Sequence, residues 1–483
     1  MRRRLLCAAA AALLVGAGAA PAVLAQGPST TPATPAMSFA AYAARVRASH
    51  PVARQARLLS EQARGEQQAA RGAFDPVLSA AWERKTFGST EYYDYATAKL
   101  TLPTPLGVDV VLGYERGEGP YVSPDRRTPG AGLLTAGLSV PLGQRVLTDE
   151  RRTALAVARA LRAATDADRD AALNRLLVQA AKDYAGWYEA WRRDAVATDG
   201  LRLAAFRLEA VRQRVRAGES APLDTVEAGL EVQRRLVQRE EATQALFAAR
   251  LRAEAHLWGE TGEPVTLPDG AVPALAANNV VIDSAAVARW VALAERTHPD
   301  VRRVAGRADQ AAAQRRFAAQ QLLPAVELQA SALADGGGWD GALGGAAAGN
   351  AKVGATAKLP VLLLRERGRL AAAAAREDQQ ELDLARVRRD VAVVVRAAAN
   401  DVATLDRLLV AQRRAVLQAR LLRDGEQRRF EAGESTLFLV NARERTVLDE
   451  ETKLAAVEAK RLVAGLELGA ALGDPAALTE PAR

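Results

Sequence analysis

Three histidines, His50, His256 and His298, are the residues of this chain best suited to proton transfer or metal ligation. They stand far apart in the sequence. Two of them head the same dipeptide, His50-Pro51 and His298-Pro299, so duplication explains that pair better than a metal site does. The single cysteine, Cys7, lies inside an apolar N-terminal run, leaving the rest without a thiol nucleophile, a disulfide or a Cys-based metal site. The Gly-rich stretch 336–349 lacks the Gly-Lys-Ser/Thr ending of a phosphate loop, and there is no Gly-x-Ser-x-Gly elbow. Carboxylates are many, but they fall at helix-surface spacing, the mark of a solvated face. The expectation is a protein that is not an enzyme and holds no metal and no cofactor.

What the chain does show is repetition. His50-Pro51 recurs 248 positions later as His298-Pro299, and Pro76 recurs at the same offset as Pro324. The offset then drops: Pro141 matches Pro360 at 219, a loss of 29 residues within one segment. Gly218 matches Gly433 at 215, so the stretch between those proline and glycine markers changes by four residues, about one helical turn. Two copies that differ in one insert while keeping their helix lengths indicate duplicated architecture.

Residues 1–25 read as a signal peptide, with Arg2-Arg3-Arg4, an apolar run from Leu5 to Ala20 and a small-residue cleavage site at Val23-Leu24-Ala25. Residues 26–37 form a Pro/Thr-rich leader. Removing the three signal arginines lowers the formal charge from +8 to about +5, with both signs interspersed elsewhere. No compact basic cluster stands beside stacking aromatics, which argues against nucleic acid as a partner. After residue 25 there is no apolar span of about twenty residues, so any membrane insertion must use strands.

The elements that could position a site alternate between two periods. Ala-, Arg- and Glu-rich stretches read as helices at 39–72 and 285–321, at 149–216 and 365–431, and at 222–258 and 436–471. Each of the two longest would span roughly 100 Å. A leading and a trailing short helix together match that length and could lie end to end beside it. Leu201, Leu208, Val211 and Val215 keep a coiled-coil seam. Gly218 and Gly433 suit tight turns of positive φ, with Ser220 and Ser435 available to cap the returning helices.

Between the helices the period becomes two. Val326, Leu328, Ala330 and Ala332 alternate with polar residues, as do Ala351, Val353, Ala355, Ala357 and Leu359. The first copy has Leu78, Ala80, Trp82 at its start and Leu134, Ala136, Leu138, Val140 at its end. Its surplus holds another pair, Ala96–Leu102 and Val108–Tyr114, which either joins a barrel or forms a rim hairpin. Tyr92, Tyr93, Tyr95, Tyr114 and Tyr121 lie in this region with Trp82 and Phe87 nearby, and Trp339 sits in the matching loop, as at a bilayer interface. Four strands per chain, or six with the extra pair, cannot close a barrel in lipid without leaving backbone groups unsatisfied. Oligomerisation is therefore expected, three chains of four strands giving twelve.

In this order of features the chain resembles the TolC-like outer-membrane efflux proteins over roughly residues 38–475. The residues that carry the resemblance are the doubled His-Pro, the bounding prolines Pro76, Pro141, Pro324 and Pro360, and two tip segments, Arg214 to Ala228 and Arg429 to Ala442. Gly469-Ala470-Ala471-Leu472-Gly473 also fits. The resemblance implies a homotrimer: a mainly α chain with a twelve-stranded β-barrel in the outer membrane lipid, on a long periplasmic α-helical barrel. It implies a passive conduit, joined to an inner-membrane pump through a periplasmic adaptor that contacts Gly218, Glu219, Ser220, Gly433, Glu434 and Ser435. Family members often narrow the entrance with acidic residues after the second tip, where this chain has Leu439, Asn441 and Ala442. Asp224 and Glu227, three apart on one helix face, are the acidic aperture candidates instead, with Asn441 the polar candidate beyond the second tip. Asp224 serves equally well as a helix N-terminal charge.

The organisation expected is a first repeat at 38–260, a linker at 261–284, a second repeat at 285–473 and a tail at 474–483. The rival reading is a soluble periplasmic coiled-coil adaptor or scaffold, which has no need of alternating strands and interface aromatics.

Overall fold

The computed structural model of the protein describes residues 36–275, 282–336 and 349–474. The signal segment, most of the leader, Trp339 with most of its Gly-rich loop, part of the linker and nearly all of the tail lie outside the described residues.

Each repeat begins with a helix broken by its His-Pro pair. α1 (Phe39–Ser49) ends at His50 and α2 (Pro51–Arg71) starts at Pro51. α5 (Ser284–Thr297) and α6 (Pro299–Gln320) are broken in the same way at His298. The reason is local: the residue before a proline is pushed out of the helical region, and both histidines take φ near −60° with ψ 137° and 135°. Each imidazole Nδ1 then accepts a backbone N–H, from Val52 at 3.2 Å and from Asp300 at 3.1 Å. The single helices expected over 39–72 and 285–321 are thus two helices each, and the histidines are caps.

The strands follow. β2 (Val77–Phe87), β3 (Thr90–Pro103), β4 (Asp109–Glu118), β5 (Leu133–Gly143), β7 (Ala325–Asp335) and β8 (Ala351–Lys358) form one antiparallel sheet in that order. Among the described residues the sheet therefore has six strands, with the extra pair inside it. A separate two-stranded parallel sheet joins β1 (Ala36–Ser38) to β6 (Val272–Ala274).

Below the sheet, α3 (Glu150–Arg216) returns as α4 (Pro222–Glu254), and α7 (Leu364–Glu431) returns as α8 (Leu437–Ala471). α2 and α4 both pack on α3, and α6 and α8 both pack on α7, so two short helices share the length of each long one. α6 and α8 also contact α3, which joins the two repeats into a single layer. α2 and α4 stand at one edge of that layer and α7 at the other. Among the described residues no helix is long and apolar enough to cross a membrane.

The main core lies where α1, α3, α4 and α8 meet. Phe39, Tyr42, Val46, Tyr184, Trp187 and Leu257 fill it. Burial forces the polar ends of these aromatics to find partners. The Tyr42 hydroxyl donates to Ala253 O at 2.9 Å. The Tyr184 hydroxyl lies 2.7 Å from Met37 O and 2.9 Å from Ala274 O and accepts the Ala274 N–H, tying together both strands of the small sheet. Burial raises both phenols, Tyr184 to about 12 despite the Ala274 hydrogen bond.

Candidate functional site

The two hairpin tips have the same backbone. Gly218 and Gly433 adopt φ of +74° and +75°, a conformation open to glycine without strain. The Glu219 N–H reaches back to Arg214 O at 2.9 Å and the Gly218 N–H to Val215 O at 3.1 Å. The Glu434 N–H reaches Arg429 O at 2.8 Å and the Gly433 N–H reaches Phe430 O at 3.1 Å. Both are Schellman endings, which satisfy the last carbonyls of the long helix. Gly218, Glu219, Gly433 and Glu434 are exposed, and Ser220 and Ser435 are half-buried.

The capping differs from the expectation for the serines. The N-cap of α4 is Ala221, without a side-chain hydrogen bond, and that of α8 is Thr436, whose hydroxyl accepts the Leu439 N–H at 3.4 Å. Ser435 instead donates to Glu426 at 2.5 Å, across its own tip. A proline at the first helical position of α4 already removes one orphan donor.

Behind the turns the two hairpins touch. Val211, Ala228 and Leu437 are buried together, with Leu208, Val215 and Phe430 against them, and the Arg214 guanidinium lies 5.1 Å from the Phe430 ring centre. The coiled-coil seam of α3 thus packs onto the second hairpin as well as its own.

One turn further from the tips the seam carries charge. Arg207 is buried and forms a bidentate pair with Glu444, while its Nη1 also donates to Asn441 Oδ1 at 2.9 Å. Asn441 is therefore not free to line an aperture: at 3 % exposure its amide oxygen is committed to Arg207 inside the wall. A second cluster joins α4 to α8, with Glu231 buried between Arg235 at 2.8 Å and Arg445 at 2.5 Å. Burial alone would raise the Glu231 carboxyl, but the hydrogen bond from Arg445 and the charges of Arg235, Arg445 and Arg234 hold it below its ordinary value. Sequence reasoning missed all of these buried charges. A signal was available, since Arg207 occupies the seam between Ala204 and Val211, where an apolar residue is usual. Asp224 and Glu227 are half-buried on α4, and the Glu231 hydrogen bond and charge, with a smaller share from Glu227, raise Arg445. Among the described residues no hydrogen bond joins either of them to Asn441, which is held by Arg207.

The histidines need one correction. His50 and His256 are distant in sequence but adjacent in space, with ring centres 5.8 Å apart. His256 Nε2 lies 2.8 Å from Asp183 Oδ2. Burial first, then the His256 charge, holds His50 below its ordinary value, and burial does the same to His298. Among the described residues there is no group of three or more His, Cys, Asp or Glu able to hold a metal ion. A hollow of about 880 Å³ is an open cleft between α3, α6, α7 and α8, lined by Asn174, Arg175, His298, Arg386, Asp390 and Asp401 among others. Its groups pair locally, as in Arg386 with Asp390 at 2.9 Å, and no nucleophile is set against a base there.

The strands complete the geometry. Leu78, Leu100, Leu112, Ala136, Ala332 and Ala351 stand in one cross-strand row that runs the full width of the sheet. The next row belongs to the opposite face and holds Val77, Thr101, Val111, Gly137, Ser331 and Lys352. One face is apolar, the other mostly polar or small, the pattern of a wall between lipid and water.

Residues 290–474, most of the second repeat, match the family model described as outer membrane efflux protein. No curated protein matches the chain. Solved structures match nearly all of it. The outer membrane protein VceC from Vibrio cholerae is 18 % identical, covering 90 % of this chain and 96 % of its own, with a TM-score of 0.58. The MtrE outer membrane channel of Neisseria gonorrhoeae, in its open state, is 18 % identical over 90 % of this chain and 89 % of its own, with a TM-score of 0.62. The Campylobacter jejuni CmeC outer membrane channel is 12 % identical over 90 % and 85 %, with a TM-score of 0.59.

Proposed function

We propose, from the premise that the chain has the fold of the TolC-like outer-membrane channels and carries an outer membrane efflux protein domain, that it is a passive outer-membrane efflux duct. Three copies would form the duct, with the sheet in the outer membrane and the helices lining a periplasmic passage. An inner-membrane pump would supply the energy through an adaptor seated on the tips at Gly218, Glu219, Gly433 and Glu434.

One observation carries this reading: the wall is open along both edges at every level. β2 and β8 are exposed along their whole lengths, and among the described residues no strand pairs with their outer backbone groups. Below them, α2 and α4 expose Leu58, Val226, Val237 and Phe247 at one edge, while α7 exposes Leu382, Leu421 and Leu422 at the other. An edge of one kind facing an edge of the other kind is a head-to-tail contact, which makes a ring when the rotation closes. A sheet in lipid cannot remain open, because each unpaired amide there costs several kcal/mol, of the order of 2–7.

The duct does no chemistry of its own in this reading. The test is the mass of the mature protein extracted from the outer membrane in detergent, followed by its conductance in a planar bilayer. A three-copy particle that conducts is the expected result. A detergent-independent soluble monomer would remove the channel and leave the periplasmic scaffold.

A further inference from the structure

The β3–β4 hairpin is the part of the sheet that duplication does not account for. From Thr90 to Glu118 it is 29 residues long, the length by which the first repeat exceeds the second in this segment. Among the described residues the second repeat contributes β7 and β8.

Three independent features set this hairpin in the plane of the wall rather than on its rim. The first is its face. Ala96, Ala98, Leu100 and Leu102 of β3 and Val110, Leu112 and Tyr114 of β4 share the apolar side of the sheet with their neighbours Ala80, Trp82, Leu134 and Leu138. Tyr95, Thr97, Lys99 and Thr101 take the other side. A soluble rim hairpin has no reason to keep the parity of the lipid-facing strands. Charge appears on the apolar side only towards the far end, at Arg116 in the row of Trp82 and Ala96 and then at Arg84, Asp94 and Glu118 in the row beyond. That is the order of a membrane band ending in an aromatic girdle and then water.

The second feature is the anchoring of its turn. Asp109 receives a hydrogen bond from Arg151 Nη1 at 3.0 Å, and Arg145 lies 3.9 Å away, which holds the base of β4 beside the start of α3. The turn itself is short, closed by the Gly107 N–H to Thr104 O at 3.0 Å. It therefore sits at the periplasmic end, where barrel turns are short. The third feature is direction. An inserted pair keeps β2 and β8 antiparallel to each other, so β8 of one copy can still meet β2 of the next in the antiparallel sense. A single inserted strand would have broken that closure.

We propose that β3 and β4 are wall strands and that three copies of this chain close an eighteen-stranded barrel, in place of the twelve that four strands per chain would give. The inference rests on the trimeric duct reading and adds to it a lumen of unusual width. Barrel diameter grows roughly linearly with strand number, so the membrane portion is about half as wide again as a twelve-stranded one, in the range of strand number that leaves an aqueous channel.

The mature chain lacks cysteine, which allows single cysteines to be placed at each position of 96–102 and 110–114, spin-labelled and reconstituted in liposomes. The expected result is strict alternation. Labels at Ala96, Ala98, Leu100, Leu102, Val110 and Leu112 collide with oxygen and are shielded from a water-soluble nickel chelate. Labels at Thr97, Lys99, Thr101 and Val111 do the reverse. The native mass of each labelled particle is measured on the same sample. Alternation in a three-copy particle sustains the wider barrel. Water access at every position in a three-copy particle overturns it and leaves the duct reading intact, with the hairpin on the rim. A particle that is not three copies overturns the duct reading itself, and the eighteen-strand count with it.

Discussion

The two repeats are one device built twice, and they agree or differ by layer. Their long helices are 67 and 68 residues, and their returning helices 33 and 35. Among the described residues their shares of the one large sheet are four strands and two. Helices that must span the same distance side by side cannot change length independently, because a turn gained by one moves its tip by about 5.4 Å relative to the other. A sheet grows sideways, at about 4.8 Å per strand, without moving either end. Inserted strands are therefore tolerated in the sheet, and changes of length are excluded from the paired helices.

The cores differ as well. The first repeat packs Tyr42, Tyr184 and Trp187, whereas the second packs Val291, Val301, Val304, Val387, Val391 and Val395. The buried ion pairs also belong to different junctions: Arg207–Glu444 joins the two repeats through α3, and the Glu231 cluster joins them through α4.

The sharpest test of that last contrast is to remove one guanidinium from each cluster. Arg207→Ala leaves Glu444 buried beside Asn441 without a countercharge, and a cost of about 3–5 kcal/mol is expected. Arg445→Ala leaves Glu231 still paired with Arg235, and about 1 kcal/mol is expected from a partly exposed arginine. Denaturant unfolding of the detergent-solubilised protein measures both. Equal losses would mean that the two junctions are energetically alike.

Tyr184→Phe comes next. It strips the hydroxyl that bridges β1 and β6 and strands buried backbone groups, for an expected loss of about 1–3 kcal/mol, read in the same unfolding experiment. A change below the error of that measurement would show that the small sheet holds without its bridge.

Gly218→Ala and Gly433→Ala should each cost roughly 1–2 kcal/mol, and equally. An added methyl meets nothing within 4 Å at either tip, so only the positive φ is penalised. Unequal effects would reveal a difference between the tips that their backbones do not show.

The smallest effect concerns pH. Folding favours neutral His50 and His298, because burial penalises their charged forms and each Nδ1 must accept a backbone N–H. Their contribution is therefore present above the unfolded value of 6.5 and is lost as pH falls from there towards the lower folded values. His50→Asn and His298→Asn keep a capping acceptor that does not titrate, and should flatten stability between pH 6.5 and 5, by about 1 kcal/mol or less for each site. A pH profile unchanged in both variants would assign the acid sensitivity elsewhere.

Much of the fold was legible because its signals are local. Pro76, Pro141, Pro324 and Pro360 bound segments where the period changes from helical to alternating, and Gly218 and Gly433 mark the positive-φ ends of the long helices. The site was less legible. The serines looked like caps, but Ala221 and Thr436 hold those positions, because the Schellman turn runs one residue further than the glycine alone indicates. Asn441 looked available, and Arg207 looked like one more surface arginine. Which face of a helix meets another helix is decided by packing, and neither residue carries that information in its own neighbourhood.

The amino-acid sequence by itself determined the duplication, the alternation of helix and strand, the turns and the apolar side of each strand, since each depends on residues within a few positions of one another. Only the tertiary structure decided that His50 meets His256, that Arg207 pairs with Glu444 and that the extra hairpin lies in register within the sheet. The two side-chain meetings join residues 206 and 237 positions apart, where no local period reaches, and the hairpin's place depends on which strands pair with both of its edges.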